Sequence, residues 1–251
     1  MKRELLAKLN FSILCWIFSA CLSVQAQEVT IFAHQQKPYQ YLDDNQQLKG
    51  FSWQLIRAMF ERADIAIENN SAQLLPFARA YKRVQRKTGS ALFMTVRKQK
   101  REQLFKWVGP LVPREKWLYK LKSKALPAIT TLEQAKDLRV GSVNNSSTHE
   151  YLNKLAFKEL TLLANENLVF GMFLAGRIDL MPSLELSMAY TLQERGYSYD
   201  DVEKVIAFDK RYQYYLAFNK ETDQTIIDKL QHALEQMKAD GSYSELQARY
   251  L

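Results

Sequence analysis

The apolar residues of this chain switch repeatedly between strand-like runs and helix-like spacing, and the whole alternation occurs twice. Residues 28–33 are a β-branched apolar run that reads as a buried strand. A turn-rich loop follows, with Pro38-Tyr39-Gln40-Tyr41 and Asp43-Asp44-Asn45. Gly50-Phe51-Ser52 then opens a helix on which Trp53, Leu55, Ile56, Met59 and Phe60 recur at helical spacing. A short strand at 65–67, a helix from Leu75-Pro76 through Phe77, Ala80, Tyr81 and Val84, and a strand at 91–96 complete the first round. This order specifies an α/β sheet with crossover helices.

Beyond Pro113 the pattern restarts. Residues 117–121 read as a strand and 130–137 as a short helix with a Thr130/Glu133 capping box. A strand at 138–141 leads through Asn144-Asn145-Ser146-Ser147 into a helix at 148–157, capped by Ser147 with Glu150. Next come a strand at 160–163, a helix capped by Asn165 and ending at Gly176, a strand at 178–181 and a helix at 185–196. Strands at 205–208 and 212–218 and a helix at 223–239 close the chain. The sequence contains no close repeat, low-complexity tract or glycine-rich linker. Two similar α/β units joined by short crossings imply a hinged pair of lobes.

The N-terminus has a basic start (Met1-Lys2-Arg3), an apolar run at 11–22, and small residues at the −3 and −1 positions of Val24-Gln25-Ala26. That is the pattern of a secretory signal peptide. The run is about 12 residues, short of the roughly 20 that span a bilayer. We expect residues 1–26 to be removed after Ala26; the alternative is lipid attachment at Cys21. Both cysteines, Cys15 and Cys21, lie in this segment, so the exported chain has neither disulfides nor thiolate chemistry. Its removal also takes Lys2, Arg3, Lys8 and Glu4, lowering the formal excess of +8. The remaining charge is scattered, without the basic, aromatic-interleaved run of a nucleic-acid groove.

The most informative stretch for function is 95–113, TVRKQKREQLFKWVGPLVP. It sets Arg97 and Arg101 between the strand Ala91-Leu92-Phe93-Met94 and the run Phe105, Trp107, Val108, with Gly109-Pro110 and Pro113 directly after. Strand, cationic turn, strand and prolines place an anion-holding turn beside a crossing between lobes.

These residues, with several others, carry a family resemblance. Pro38-Tyr39 before Gly50-Phe51, the Lys98–Glu102 turn before Phe105…Gly109-Pro110, Val140-Gly141 through Ser146, Ser147, Glu150 and Leu152, Leu174-Ala175-Gly176-Arg177-Ile178-Asp179, Tyr215-Leu216-Ala217-Phe218 and Asp240-Gly241-Ser242-Tyr243 stand in one order along most of the chain. The chain resembles the extracellular solute-binding proteins of the polar-amino-acid type that serve ABC importers. The resemblance implies the two-lobed type II periplasmic binding protein fold, each lobe a mostly parallel sheet flanked by helices. Lobe 1 would comprise 27–112 and 213–251, and lobe 2 would comprise 113–212. Hinge crossings are expected near 111–117 and 208–213, with the ligand between the lobes. It further implies a periplasmic receptor, monomeric, without a cofactor, that presents its closed form to an inner-membrane permease.

Arg101 matches the family arginine that grips a carboxylate; its planar fork suits that group bidentately. Arg97, if it faces the cleft, would add a second guanidinium. Ser146 and Ser147 match the family's threonine pair at a helix N-terminus, which favours an anion, though Ser147 with Glu150 also fits an ordinary cap, and one residue can do both. Tyr39 either walls the ligand or packs in the core. Phe77 and Arg79 follow the Leu75-Pro76 break and can reach the cleft. Trp53 and Trp107 read as core. The family often has an Asp soon after the first strand to receive an ammonium, where this chain has Ala33-His34-Gln35. The second-lobe Asp falls at Leu184, beside Glu185, which either replaces it or caps its helix. Without such a carboxylate a buried α-ammonium has no partner, which disfavours a free amino acid.

A dehydratase-like enzyme on the same fold would need a poised acid–base pair. His34, His149 and His232 form no recognisable dyad, and no zinc-ligand spacing occurs. We therefore expect binding without catalysis. A receptor feeding a sensor protein is the other reading.

Overall fold

The computed structural model describes residues 28–250, and the signal-peptide reading of 1–26 lies outside them. The first round of elements is β1 (Val29–Ala33), a hairpin of β2 (Tyr41–Leu42) and β3 (Leu48–Lys49), α1 (Phe51–Arg62), β4 (Ile67–Leu74), α2 (Phe77–Arg86) and β5 (Ser90–Val96). A 3-10 turn, Gln99–Leu104, leads into the long β6 (Phe105–Leu121). The second round is α3 (Leu132–Ala135), β7 (Val140–Val143), α4 (Ser147–Lys154), β8 (Leu160–Leu163), α5 (Glu166–Leu174), β9 (Met181–Leu184) and α6 (Glu185–Glu194). The equally long β10 (Val202–Asn219) returns to α7 (Gln224–Ala239) and α8 (Ser242–Ala248).

The main sheet has the order β4-β1-β5-β10-β6-β9, and β7 pairs with β8 in a second, parallel sheet. β1 runs parallel to both neighbours, whereas β10 is antiparallel to β5 and β6. The β6/β10 ribbon joins the two lobes. Its Phe105–Val112 and Tyr214–Asn219 segments pair beside β5, and its Arg114–Leu121 and Val202–Asp209 segments pair beside β9.

Burial explains why these strands read as unbroken apolar runs. Ile31 and Phe93 enter one core with Phe51, Leu55, Val108 and Leu230, while the adjacent Phe32 and Leu92 enter another with Ala80, Val84 and Phe105. Successive side chains point to opposite faces, and helices cover both. The second lobe repeats this: Tyr119 packs with Phe173 and Ile178, and Leu118 with Val140, Leu152 and Phe208. Leu184 and Leu186, at the junction of β9 and α6, join the first lobe's core with Tyr39 and Tyr214.

Several boundaries differ from the expected ones. The strands expected at 205–208 and 212–218 are one bulged strand, and that at 117–121 is the end of β6. Gly109-Pro110 does not end β6; the register skips it, from Val112↔Tyr214 to Val108↔Leu216. β4 lies at 67–74 because it is an edge strand with mostly exposed, polar side chains, so periodicity does not reveal it. β9 starts later than 178–181. The helix expected at 130–137 spans only Leu132–Ala135 and is capped one residue later, by Thr131 with Gln134. The cap of α4 is Ser146, whose hydroxyl accepts from His149 N at 3.1 Å, rather than Ser147. His149 Nδ1 accepts from Asn145 N at 3.1 Å, one residue before the cap, so the reciprocal bond expected from Glu150 is not formed.

Two predictions concern this scaffold. Gly50 precedes α1 at φ 112°, and an added Cβ would lie 2.6 Å from Pro38 O and in collision with Tyr39 O. Both obstacles are backbone. Gly50→Ala is expected to cost about 2–4 kcal/mol in urea unfolding.

Asp179 accepts from Arg139 N (2.9 Å), Nε (3.1 Å) and Nη2 (2.9 Å), and pairs with Lys124. Burial opposes its charge, but the hydrogen bonds from Arg139 and Lys124 outweigh burial and hold its carboxyl well below the usual range. The stability it contributes is therefore present above the unfolded-state value of about 4 and lost as pH falls below it. Asp179→Asn should flatten that acid limb of the stability curve and lower stability at pH 7 by about 2–3 kcal/mol.

Candidate ligand-binding cleft

Two adjoining chambers open between the lobes, of about 640 Å³ and about 330 Å³. They share Gln36, Arg114, Ser147 and Tyr214. The first lobe lines the larger chamber with His34, Phe77, Met94, Val96, Lys98 and Arg101. Facing them are Ser147, Glu150, Tyr151 and Lys154 of α4, and the ribbon supplies Asp209, Arg211 and Tyr212. The smaller chamber runs deeper into the second lobe, past Lys116, Ser142, Ser146, Thr148, Glu166 and Ser187.

Arg101 is carried on the 3-10 turn after β5, and three contacts orient it. Its Nη1 donates to Val96 O at 2.9 Å, and its guanidinium stacks over Phe77 and Tyr81 at 5.6 and 5.1 Å. The fork's other N–H groups have no protein acceptor among the described residues and remain for a ligand. Across the chamber, the N-terminus of α4 presents unpaired backbone N–H groups.

The structure brings Phe77, Arg101, Ser146 and Ser147 to the cleft and leaves the other four expected residues outside it. Strand alternation removes Arg97. Met94, Val96 and Lys98 face the chamber, so Arg97 points the other way, where it pairs with Glu102 (Nε to Oε2, 2.9 Å) over Trp107 and Tyr215. On α2, Ala80 and Val84 are buried, which turns Arg79 to an exposed basic face with Lys82, Arg83 and Arg86. Tyr39 is buried one layer behind the wall, its ring 6.3 Å from Tyr214, with burial raising its phenol pKa. Glu185 neither caps α6 nor enters the cleft: it pairs with Lys204 and accepts from Tyr199 Oη at 3.0 Å. In its place the small chamber has Leu184.

Sequence reasoning missed the ribbon's contribution. Arg114, Lys116, Asp209 and Arg211 look like ordinary loop charges, but i, i+2 spacing on extended chain puts each pair on one face. Asp209 is buried and accepts from Arg211 N (3.3 Å), Nε (2.8 Å) and Nη2 (3.1 Å) and from Arg114 Nη1 (3.3 Å). Burial opposes its charge, yet Arg211 and Arg114 hold its carboxyl below the usual range. Arg211 in turn stacks on Tyr151 of α4, 3.4 Å from the ring centroid, tying the ribbon to the second lobe.

Lys116 donates to Thr148 Oγ1, and among the described residues no carboxylate lies within ion-pair distance of it. Burial, reinforced by Arg114 and only partly offset by Glu166 and Asp209, pushes its ammonium pKa down to about 8. His34 stands where an acid was sought. It is half-buried edge-on to Phe77 at 5.3 Å, with Nδ1 unpartnered and Nε2 3.2 Å from Gln36 Oε1. Burial lowers its pKa, so the imidazole is neutral at pH 7. The described residues contain no group of three His, Cys, Asp or Glu side chains able to hold a metal, nor a helix long and apolar enough to cross a membrane.

The model of one family, described as bacterial extracellular solute-binding proteins, family 3, matches residues 29–251. No curated protein matches the chain by sequence. Among solved structures, the second substrate-binding domain of Lactococcus lactis GlnP, in an open conformation, superposes with TM-score 0.75 at 17% identity, covering 91% of this chain and 97% of that one. An ancestral cationic amino acid solute-binding protein gives 0.72 at 16% identity, with 89% and 95% covered. A histidine kinase sensor domain with similarity to periplasmic binding proteins gives 0.62 at 18% identity, with 89% and 96% covered.

Proposed function

The chain belongs to the bacterial extracellular solute-binding proteins of family 3, and from that premise we propose that it captures a small polar, carboxylate-bearing solute between its lobes for ABC-type import. The observation that carries this reading is Arg101, with one bond spent on Val96 O and the rest of its fork free of acceptors among the described residues, facing the N-terminus of α4 across a chamber of about 640 Å³. A carboxylate there gains a charge-assisted pair from one lobe and backbone N–H groups from the other, so binding favours the closed form. In this reading the lobes are 27–112 with 213–251, and 113–212. The exported chain begins after Ala26 and works as a monomer with an inner-membrane permease, binding its solute without transforming it.

Isothermal titration of refolded residues 27–251 against amino acids, mono- and dicarboxylates, polyamines and short peptides tests this. One-to-one binding confined to carboxylate-bearing members is expected, and binding confined to polyamines would contradict it. A sensor role is the second reading, favoured by the likeness to a histidine kinase sensor domain. Co-purification with a permease supports import, whereas co-purification with a kinase supports sensing.

A further inference from the structure

We propose that the smaller chamber is an anion subsite built on Lys116, so that the solute held at Arg101 carries a second negative group that reaches Lys116. The inference deepens the carboxylate-binding reading and rests on it.

Lys116 extends from β6 into the chamber and is fixed there by one hydrogen bond, to Thr148 Oγ1. An ammonium has three N–H donors, so two are left for a partner that the described residues do not supply. The charged groups around it come from every neighbouring element. Arg114 lies two residues before it on β6, Asp209 comes from β10, and Glu166 stands at the first turn of α5. Asp209 is already engaged by Arg114 and Arg211, and Glu166 is an exposed first-turn acid at the chamber's rim. The hydroxyl of Ser142 lines the same space and can donate to a carboxylate, and that of Ser183, which donates to Leu184 O at 3.1 Å, can do so by turning from that bond. Enclosing a cation without a counter-ion is unfavourable, and an anion arriving in the chamber removes that penalty.

A single solute can serve both groups because the two chambers adjoin across shared lining. Arg114, Ser147 and Tyr214 line both, so a solute gripped at Arg101 extends past them toward Lys116. The depressed ammonium value of about 8 gives the subsite a signature, because an anion that needs the protonated form binds less well as pH rises through that range.

The test compares pairs of probes that differ only in the second group: glutamate with glutamine, and succinate with succinamate. Malonate, glutarate and adipate read the spacing. Titration calorimetry should give each dianion at least about a tenfold lower Kd than its amide partner. For wild type that preference should shrink severalfold between pH 7 and pH 9.5. Lys116→Gln should abolish the preference, and Lys116→Arg should keep it while losing its alkaline decline. Melting curves of both variants without ligand confirm that they fold. If amides bind as tightly as dianions, or Lys116→Gln keeps the preference, the subsite is overturned while the solute-binding reading stands. If no carboxylate binds wild type at all, both fall.

Discussion

Asp209→Ala is expected to destabilise the protein by about 2–4 kcal/mol, among the largest single effects in the chain. The carboxylate side chain is 5% exposed and accepts from two arginines and a backbone N–H at the point where the β6/β10 ribbon passes between lobes. Removing it leaves Arg114, 15% exposed, without its counter-ion among Lys116 and Arg211. The loss is smaller than on breaking a fully buried pair because Arg211, 41% exposed, can turn to water. The sign with pH follows from the depressed carboxyl. Its stabilisation is complete above the unfolded-state pKa of about 4 and fades as pH falls through the lower folded value. Urea unfolding between pH 3 and pH 7 should therefore show wild type and Asp209→Ala converging toward acid. Asp209→Asn, which keeps one acceptor oxygen, should fall between them at neutral pH.

Arg101→Ala is expected to leave stability nearly unchanged and to weaken solute binding by about 2–4 kcal/mol, roughly 30- to 1000-fold. The asymmetry comes from position. Arg101 sits on a surface turn, its side chain's only hydrogen bond among the described residues is to Val96 O, and its stacking on Phe77 and Tyr81 is worth about 1 kcal/mol. Toward a carboxylate it offers two parallel charge-assisted bonds inside a closing cleft, where little water competes. Arg101→Lys keeps the charge and loses the fork, so its affinity should lie between the two. Arg97→Ala is the internal control: Arg97 pairs with Glu102 outside the cleft and should not affect binding.

The order of elements was legible because buried strands and amphipathic helices have different apolar periods, and nearly every expected element occurs at or near its place. What periodicity could not supply was continuity. Gly109-Pro110, Pro113 and Asp209-Lys210-Arg211 look like chain breaks, whereas in the structure bulges carry the strands past the first and the last, and Pro113 stays in register opposite Gln213. The edge strand β4 reads shorter than it is for a related reason: Ala72 is its one buried side chain, set among exposed Asn69, Asn70, Ser71 and Gln73, so its inward face is weakly marked.

At the site, family-matched positions such as Arg101 and Ser147 fall on the cleft. Arg97 shows how a stronger reading was available: alternation from Met94 and Val96 would have exchanged it for Lys98. Arg114, Lys116 and Arg211 were not legible, because their importance depends on where two distant strands cross.

The most direct test of the account is the unfolding midpoint of refolded wild type and Arg101→Ala, side by side, with the carboxylate solute that titration identifies. At 100 times its wild-type Kd that solute should stabilise wild type by about 2.7 kcal/mol and raise its midpoint accordingly, while the variant should gain at most about 0.9 kcal/mol, and almost nothing at the upper end of the expected affinity loss. An equal rise in both proteins would place binding away from Arg101 and contradict the account.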